Sequence, residues 1–179
     1  NPLLEDFTTP HQTFPFDKIK TVHYLPAFRE AMKMQQKEIT AIVSNKQAPS
    51  FKNTIEALER SGKRLSRVQG IFFNLLHAET NAEMEQIAEE ISPELTEHGN
   101  NIFLNDSLFV RVKKVYEKRE QLKLTPEQLT LLKNTYDAFA NRGANLSESD
   151  KQIYRAYSKE LNLLELQFGQ NVLKETNKF

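Results

Sequence analysis

Apolar residues in this chain recur at intervals of three and four, and no run sustains an alternation of period two. That spacing gathers side chains on one face of an α-helix, whereas a half-buried strand needs alternation. Glycine is scarce, at 5 in 179 residues, with 7 prolines. All-β folds consume many turns, so this supply disfavours sandwiches and barrels. The expectation is an all-α fold: an antiparallel multi-helix bundle or array of about six helices behind an extended N-terminal arm. No fixed period relates the segments, which argues against a repeat solenoid.

Residues 1–16 hold Pro2, Pro10 and Pro15 among Phe7, Phe14 and Phe16, and read as an extended arm with aromatic anchors. The region 17–179 reads as helical. A first helix is expected over 21–45, with Leu25, Phe28, Met32, Ile39, Ile42 and Val43 inward. Pro26 fits only near its start, where a lost amide matters least. A second is expected over 53–79, opened by a capping box of Asn53 and Glu56. Its stripe is Ile55, Leu58, Leu65, Val68, Phe72, Leu75 and Leu76. Gly62 and Gly70 fall inside it, each weakening a helix by about 1 kcal/mol relative to Ala, so close packing or a bend is expected there. A third starts at the Thr80-x-x-Glu83 box and carries Met84, Ile87, Ile91 and Leu95, with Pro93 kinking or interrupting it. The 99–105 segment reads as a connection with Ile102, Phe103 and Leu104 buried.

The fourth helix, 106–121, presents Leu108, Phe109, Val112, Val115 and Tyr116. The fifth, 125–142, has the clearest start. Thr125-Pro126-Glu127-Gln128 combines an N-cap, a proline at the first helical position and a glutamine three residues on. Its stripe is Leu129, Leu132, Tyr136 and Phe139, and Gly143 ends it. The sixth, 147–174, has a seam at Ile153, Tyr157, Leu161, Leu164, Phe168 and Val172. Together these ranges cover roughly three-quarters of the chain, against a base rate of about a third.

Lys plus Arg and Asp plus Glu each total 24, so the net charge is zero, without the basic surplus of a nucleic-acid binder. The charge is uneven along the chain. No Lys or Arg occurs from Val68 to Val110, where Glu79, Glu83, Glu85, Glu89, Glu90, Glu94, Glu97 and Asp106 stand. Residues 111–123 then hold Arg111, Lys113, Lys114, Lys118, Arg119 and Lys123 against Glu117 and Glu120. The plain reading is two solvated faces, or two neighbouring helices that pair. The sharper one is an acidic wall that steers charged ligands. No apolar stretch approaches the roughly 18 residues that span a bilayer.

With no cysteine, disulfides, thiolate metal sites and cysteine nucleophiles are excluded together. A helical zinc site of the His-Glu-x-x-His kind needs two histidines four apart, and His11, His23, His77 and His98 offer no such pair. His77 with Glu79, or Glu94 with His98 at i, i+4, supplies only two ligands. The acids lie on faces that read as solvated rather than sheltered for proton transfer. No nucleophile elbow and no glycine-rich phosphate loop is present. Phe72-Phe73 could stack on a ligand, but large apolar residues at helical spacing usually fill a core. The residues alone describe a soluble helical domain without naming an activity, and no catalytic, cofactor-binding or metal-ligating residue is assigned.

Six segments in order carry a resemblance. They are Phe16-Asp-Lys-Ile-Lys-Thr-Val-His-Tyr-Leu-Pro-Ala-Phe28, Asn53-Thr-Ile-Glu-Ala-Leu-Glu-Arg-Ser-Gly62, Phe72-Phe-Asn-Leu-Leu-His-Ala-Glu-Thr-Asn81, Ile91-Ser-Pro-Glu-Leu95, Gly143-Ala-Asn-Leu-Ser147 and Phe168-Gly-Gln-Asn-Val-Leu173. From about Phe14 to Phe179 the chain resembles the N-terminal region of the M3 family of zinc metallopeptidases, nearest its bacterial peptidyl-dipeptidase and oligopeptidase A branches. The family's His-Glu-x-x-His motif, with its further Glu ligand, lies in a C-terminal catalytic region that this sequence does not contain. The resemblance therefore carries no zinc or catalytic residue onto any position here.

It implies instead a non-catalytic helical region forming part of the wall of a deep channel that admits short peptides. In the parent, a zinc-polarised water would attack the scissile carbonyl with a Glu as general base, releasing C-terminal dipeptides. The implied partners are short peptide substrates and the C-terminal catalytic domain. The implied cofactor is zinc in the parent and none in this fragment. The implied location is the bacterial cytoplasm or periplasm.

The alternative is a stand-alone helical interaction module that docks through its acidic face. The opening Asn1-Pro2, without an initiator Met, leads to the expectation that the native protein extends beyond these ends. A domain cut from a larger protein should expose an apolar patch, expected at parts of 72–81 or at the end of the sixth helix.

Overall fold

A computed structural model describes residues 1–78, 80–176 and 178. Glu79, counted in the acidic run and beside His77, and Phe179, where the resemblance ends, lie outside the described residues, as does Asn177. About 76% of the chain is helical, with no strand among the described residues. After a 3-10 turn at Thr21–His23 come α1 (Tyr24–Val43), a π-helical turn at Phe51–Glu56, the single-turn α2 (Ala57–Arg60) and α3 (Lys63–Ala78). Then follow α4 (Ala82–Phe103), α5 (Asp106–Glu117), α6 (Pro126–Asn141) and α7 (Glu148–Thr176). The all-α expectation holds. The chain divides into two compact units, one of Asn1–Gln35, Gly62–Leu95 and Glu160–Phe179, the other of Gln36–Ser61 and Thr96–Lys159.

In the first unit the stripes of α1, α3 and α4 meet. Phe28, Val68, Phe72 and Ile91 are fully buried, and Phe72 packs edge-on against Tyr24, Phe28 and Phe73 with centroids 4.9–5.4 Å apart. Phe72 is thus core, and Phe73 packs half-buried against it. The arm is anchored differently from expectation. Leu3 and Pro15, not the aromatics, are buried, while Phe14 and Phe16 are exposed. Phe7 does pack against the core, under the Arg67 guanidinium 4.6 Å from its ring. Arg67 also donates to the Glu5 carbonyl at 2.8 Å, so one cation ties the arm by both its face and its edge.

The second unit is organised by aromatic rings. Tyr116 and Tyr136 stack at 4.0 Å, and Phe109 lies 5.9 Å from Tyr136 and 6.0 Å from Phe139. Phe139 meets Phe103 at 5.0 Å. Guanidinium groups close both ends: Arg119 over Tyr116 at 4.5 Å and Arg142 over Phe103 at 4.1 Å. Each is a cation over the negative face of a ring.

Several boundaries differ from the sequence reading. The expected second helix is broken at Ser61–Gly62, where Gly62 adopts φ +71°. Its capping box is Ser50 with Asn53, not Asn53 with Glu56. Asn53 N–H donates to Ser50 Oγ at 3.2 Å, and Ser50 N–H donates to Asn53 Oδ1 at 2.9 Å. Gly70 lies in unbroken helix with open space beside it, so no close packing explains it. The cap of α4 is Asn81 rather than Thr80, accepting from Met84 N–H at 3.0 Å.

That helix runs through Pro93 and through 99–103, so the expected connection shrinks to Leu104–Asn105. Side-chain bonds hold its weak helix formers: Asn100 donates to Ser158 at 2.8 Å, and Arg155 to Asn101 at 2.8 Å. The α6 box is as expected, Thr125 and Gln128 each accepting the other's amide, and Gly143 follows at φ +88°. The seam of α7 is exposed, including the end of the helix where an apolar patch is expected, whereas Phe72 and Leu76 of the other candidate segment, 72–81, are buried. Ile153, Tyr157, Leu161, Leu164, Phe168 and Val172 are 49–71% exposed.

Candidate functional site

On the first unit, Val22, Leu25, Arg29 and Lys33 share a face at the start of α1, and Glu83, Ile87 and Glu90 share a face of α4. Between these faces runs a groove of about 780 Å³. Val22, Leu25, Pro26 and Ile87 give it an apolar floor, and Arg29, Lys33, Glu30, Glu83 and Glu90 give it a charged rim. That rim has two cations against three carboxylates.

Arg29 holds the two helices together. Its Nη2 donates to Glu90 at 2.6 Å and to Glu94 at 2.7 Å, and its Nε donates to both Glu94 oxygens at 3.2 Å. The hydrogen bonds to Glu94, then to Glu90, push the guanidinium pKa above its ordinary value. A guanidinium engaged by two carboxylates has few donors left for an incoming anion. The groove offers apolar contact and a slightly acidic edge, but no nucleophile poised beside a base.

The acidic run is only partly a free face. Glu83, Glu89, Glu90, Glu97 and Asp106 are exposed, as a solvated face requires. Glu90 and Glu94 are spent on Arg29, Glu85 lies 3.9 Å from Lys174, and Asp106 pairs with Lys151. None of those cations belongs to 111–123. Lys151 is the notable one, 5% exposed and also bonded to Glu148 at 3.0 Å. Arg111, counted in the basic face, is buried instead. It donates to the Asn45 carbonyl at 2.9 Å and reaches Gln47 and Asn53 at 3.3–3.5 Å. Arg29 and Lys151 escaped the sequence reading because Glu90, Glu94 and Asp106 lie far from them along the chain. The available signal was the run Val68–Val110 itself, whose acids must find cations elsewhere.

The histidines do not converge. His23 Nδ1 accepts the Lys20 N–H at 3.0 Å and closes the 3-10 turn. His77 is exposed and its candidate partner Glu79 lies outside the described residues. Burial pushes the His98 pKa below its ordinary value, and Glu94 is committed to Arg29. Among the described residues no three His, Cys, Asp or Glu side chains stand together as metal ligands.

No family model matches the chain. It is 42% identical over 97% of its length to the dipeptidyl carboxypeptidase of Escherichia coli (strain K12), and equally so to that of Salmonella typhimurium. It is 25% identical over its whole length to the probable cytosolic oligopeptidase A of Arabidopsis thaliana. The likeness seen in six segments thus extends along almost the entire chain. The chain spans about a quarter of the length of these relatives, 25% in each case.

Proposed function

We propose that this chain is the non-catalytic, N-terminal helical region of a zinc-dependent M3-type peptidase that acts on short peptides, its parent releasing C-terminal dipeptides. One observation carries the reading: 42% identity to a dipeptidyl carboxypeptidase over 97% of the chain, against 25% of that relative. Residues 1–16 are the arm and 17–179 the helical region. The remaining polypeptide supplies the zinc ligands and the catalytic groups. The part of this chain in catalysis is steric and electrostatic. The groove of α1 and α4, with its apolar floor and acidic rim, is a wall suited to an extended peptide rather than a centre that cleaves one.

The test is peptidase activity with zinc, on this chain and on the same reading frame extended to its stop codon. The substrate is a quenched-fluorescent peptide with a free C-terminus. The expected result is cleavage by the extended protein alone, abolished by a chelator. An extended protein that is inert with zinc would sink the reading.

A further inference from the structure

The first unit carries α7 in an unusual orientation. In its part of that helix, Leu161, Leu164, Phe168 and Val172 are 57%, 55%, 71% and 49% exposed. They recur at intervals of three and four, which makes one continuous stripe. The opposite face is the one that is covered. Leu166 packs against the core, and with it Asn162 Oδ1 and Gln170 Nε2 are buried without a hydrogen-bond partner among the described residues. A surface helix ordinarily shows the reverse, apolar inward and polar outward. Single exposed apolar residues need no explanation, but a contiguous stripe of four, flanked by polar Glu165 and Asn171, has the apolar centre and polar rim of a buried contact.

We infer that this face of α7 docks the remaining polypeptide of the same peptidase. The inference rests on the proposed function, because the occupant is the three-quarters of the relatives' length that this chain does not span. With that polypeptide seated, α7 lies between two packed layers. This explains why Leu161, Leu164, Phe168 and Val172 point away from a core on which Leu166 packs. The occupant presents an apolar surface, since nothing on the stripe itself offers a charge to pair.

The chain has no cysteine, so one introduced thiol reports the stripe. The probe is maleimide labelling of Phe168→Cys, with Leu164→Cys as the second variant. Each is prepared in this chain and in the extended reading frame, and its rate is divided by its rate in urea. In the extended protein, mass spectrometry of the α7 peptide separates this thiol from any other. The expected result is fast labelling in this chain and a rate at least ~100-fold lower in the extended protein, the ratio set by how rarely a packed contact opens.

Fast labelling in both, with the extended protein cleaving peptides, overturns the docking and leaves the peptidase reading intact. Slow labelling only in the extended protein, with no cleavage, supports the docking and overturns the peptidase reading. Slow labelling in both that becomes fast on dilution identifies a second copy of this chain as the occupant, and overturns the inference. Should Phe168→Cys fail to fold, Leu164→Cys decides by the same outcomes.

Discussion

Arg111 lies in a basic stretch, yet it is only 8% exposed and is bonded to no carboxylate among the described residues. Its guanidinium instead gathers the segment between α1 and the π-helical turn, through the Asn45 carbonyl at 2.9 Å and weaker contacts at 3.3–3.5 Å. Replacing it by Met keeps the apolar stem and removes the donors. A hydrogen bond from a charged donor contributes about 1.5–3 kcal/mol, and only the shortest of these falls inside the ordinary N–H···O range. Against that loss, Met escapes the cost of burying a cation without a counter-charge. The net expectation is a loss of about 1–2 kcal/mol, which raises the open fraction of this segment roughly 5–30-fold.

The exposed Lys46 sits in that segment, so trypsin reads it directly. At a protease level where reclosing outruns cleavage, the rate follows the opening equilibrium. Cleavage after Lys46 is expected to rise by that factor in Arg111→Met. It is expected to stay unchanged in Lys113→Met, which removes the same charge from an exposed neighbour. Equal rates in Arg111→Met and the parent chain, or equal acceleration in Lys113→Met, would refute the reasoning.

The two mid-segment glycines should respond oppositely to alanine. Gly62 has φ +71° and a Cβ there would collide with the Gln35 side chain, so Gly62→Ala should cost about 1–2 kcal/mol in urea melts, whereas Gly70→Ala, in open space, should gain about 0.5–1. Thr125→Ala removes the cap of α6 and should cost about 1 kcal/mol by the same assay. Hydrogen bonding from Thr125 holds the Glu127 carboxyl below its ordinary 4.5, so what it contributes is present above that pH and lost as pH falls through the folded value. A carboxyl-carbon NMR titration should show that midpoint rising in Thr125→Ala. For His98, burial depresses the pKa below 6.5, so the fold favours neutral imidazole and its contribution is lost as pH falls through the folded value. The NMR midpoint of His98 should lie lower in the folded chain than in urea, and a higher one contradicts the burial.

The sequence was legible wherever the deciding interaction is local. The Thr125–Gln128 box closes within one turn, and so the start of α6 could be read directly. It was illegible where the decision lies far along the chain. Gly99, Asn100 and Asn101 are poor helix formers and read as a connection, yet Asn100 bonds to a residue 58 positions away and Asn101 to one 54 away, and the helix continues. Arg29 finds Glu90 and Glu94 at separations of 61 and 65, which no periodicity encodes. The candidate groove follows from that pairing and was hidden for the same reason.

The seam of α7 shows a subtler limit. Its spacing of threes and fours marks an apolar face, but periodicity states only that a face needs cover. It does not state that the chain in hand supplies the cover. The exposed Leu161, Leu164 and Phe168 and the buried Asn162 and Gln170 atoms supply that second fact, because they show which side of the helix its own unit uses. An amphipathic pattern turned away from its own core is therefore informative about what lies outside the chain. The pattern is visible in sequence, and its direction only in structure.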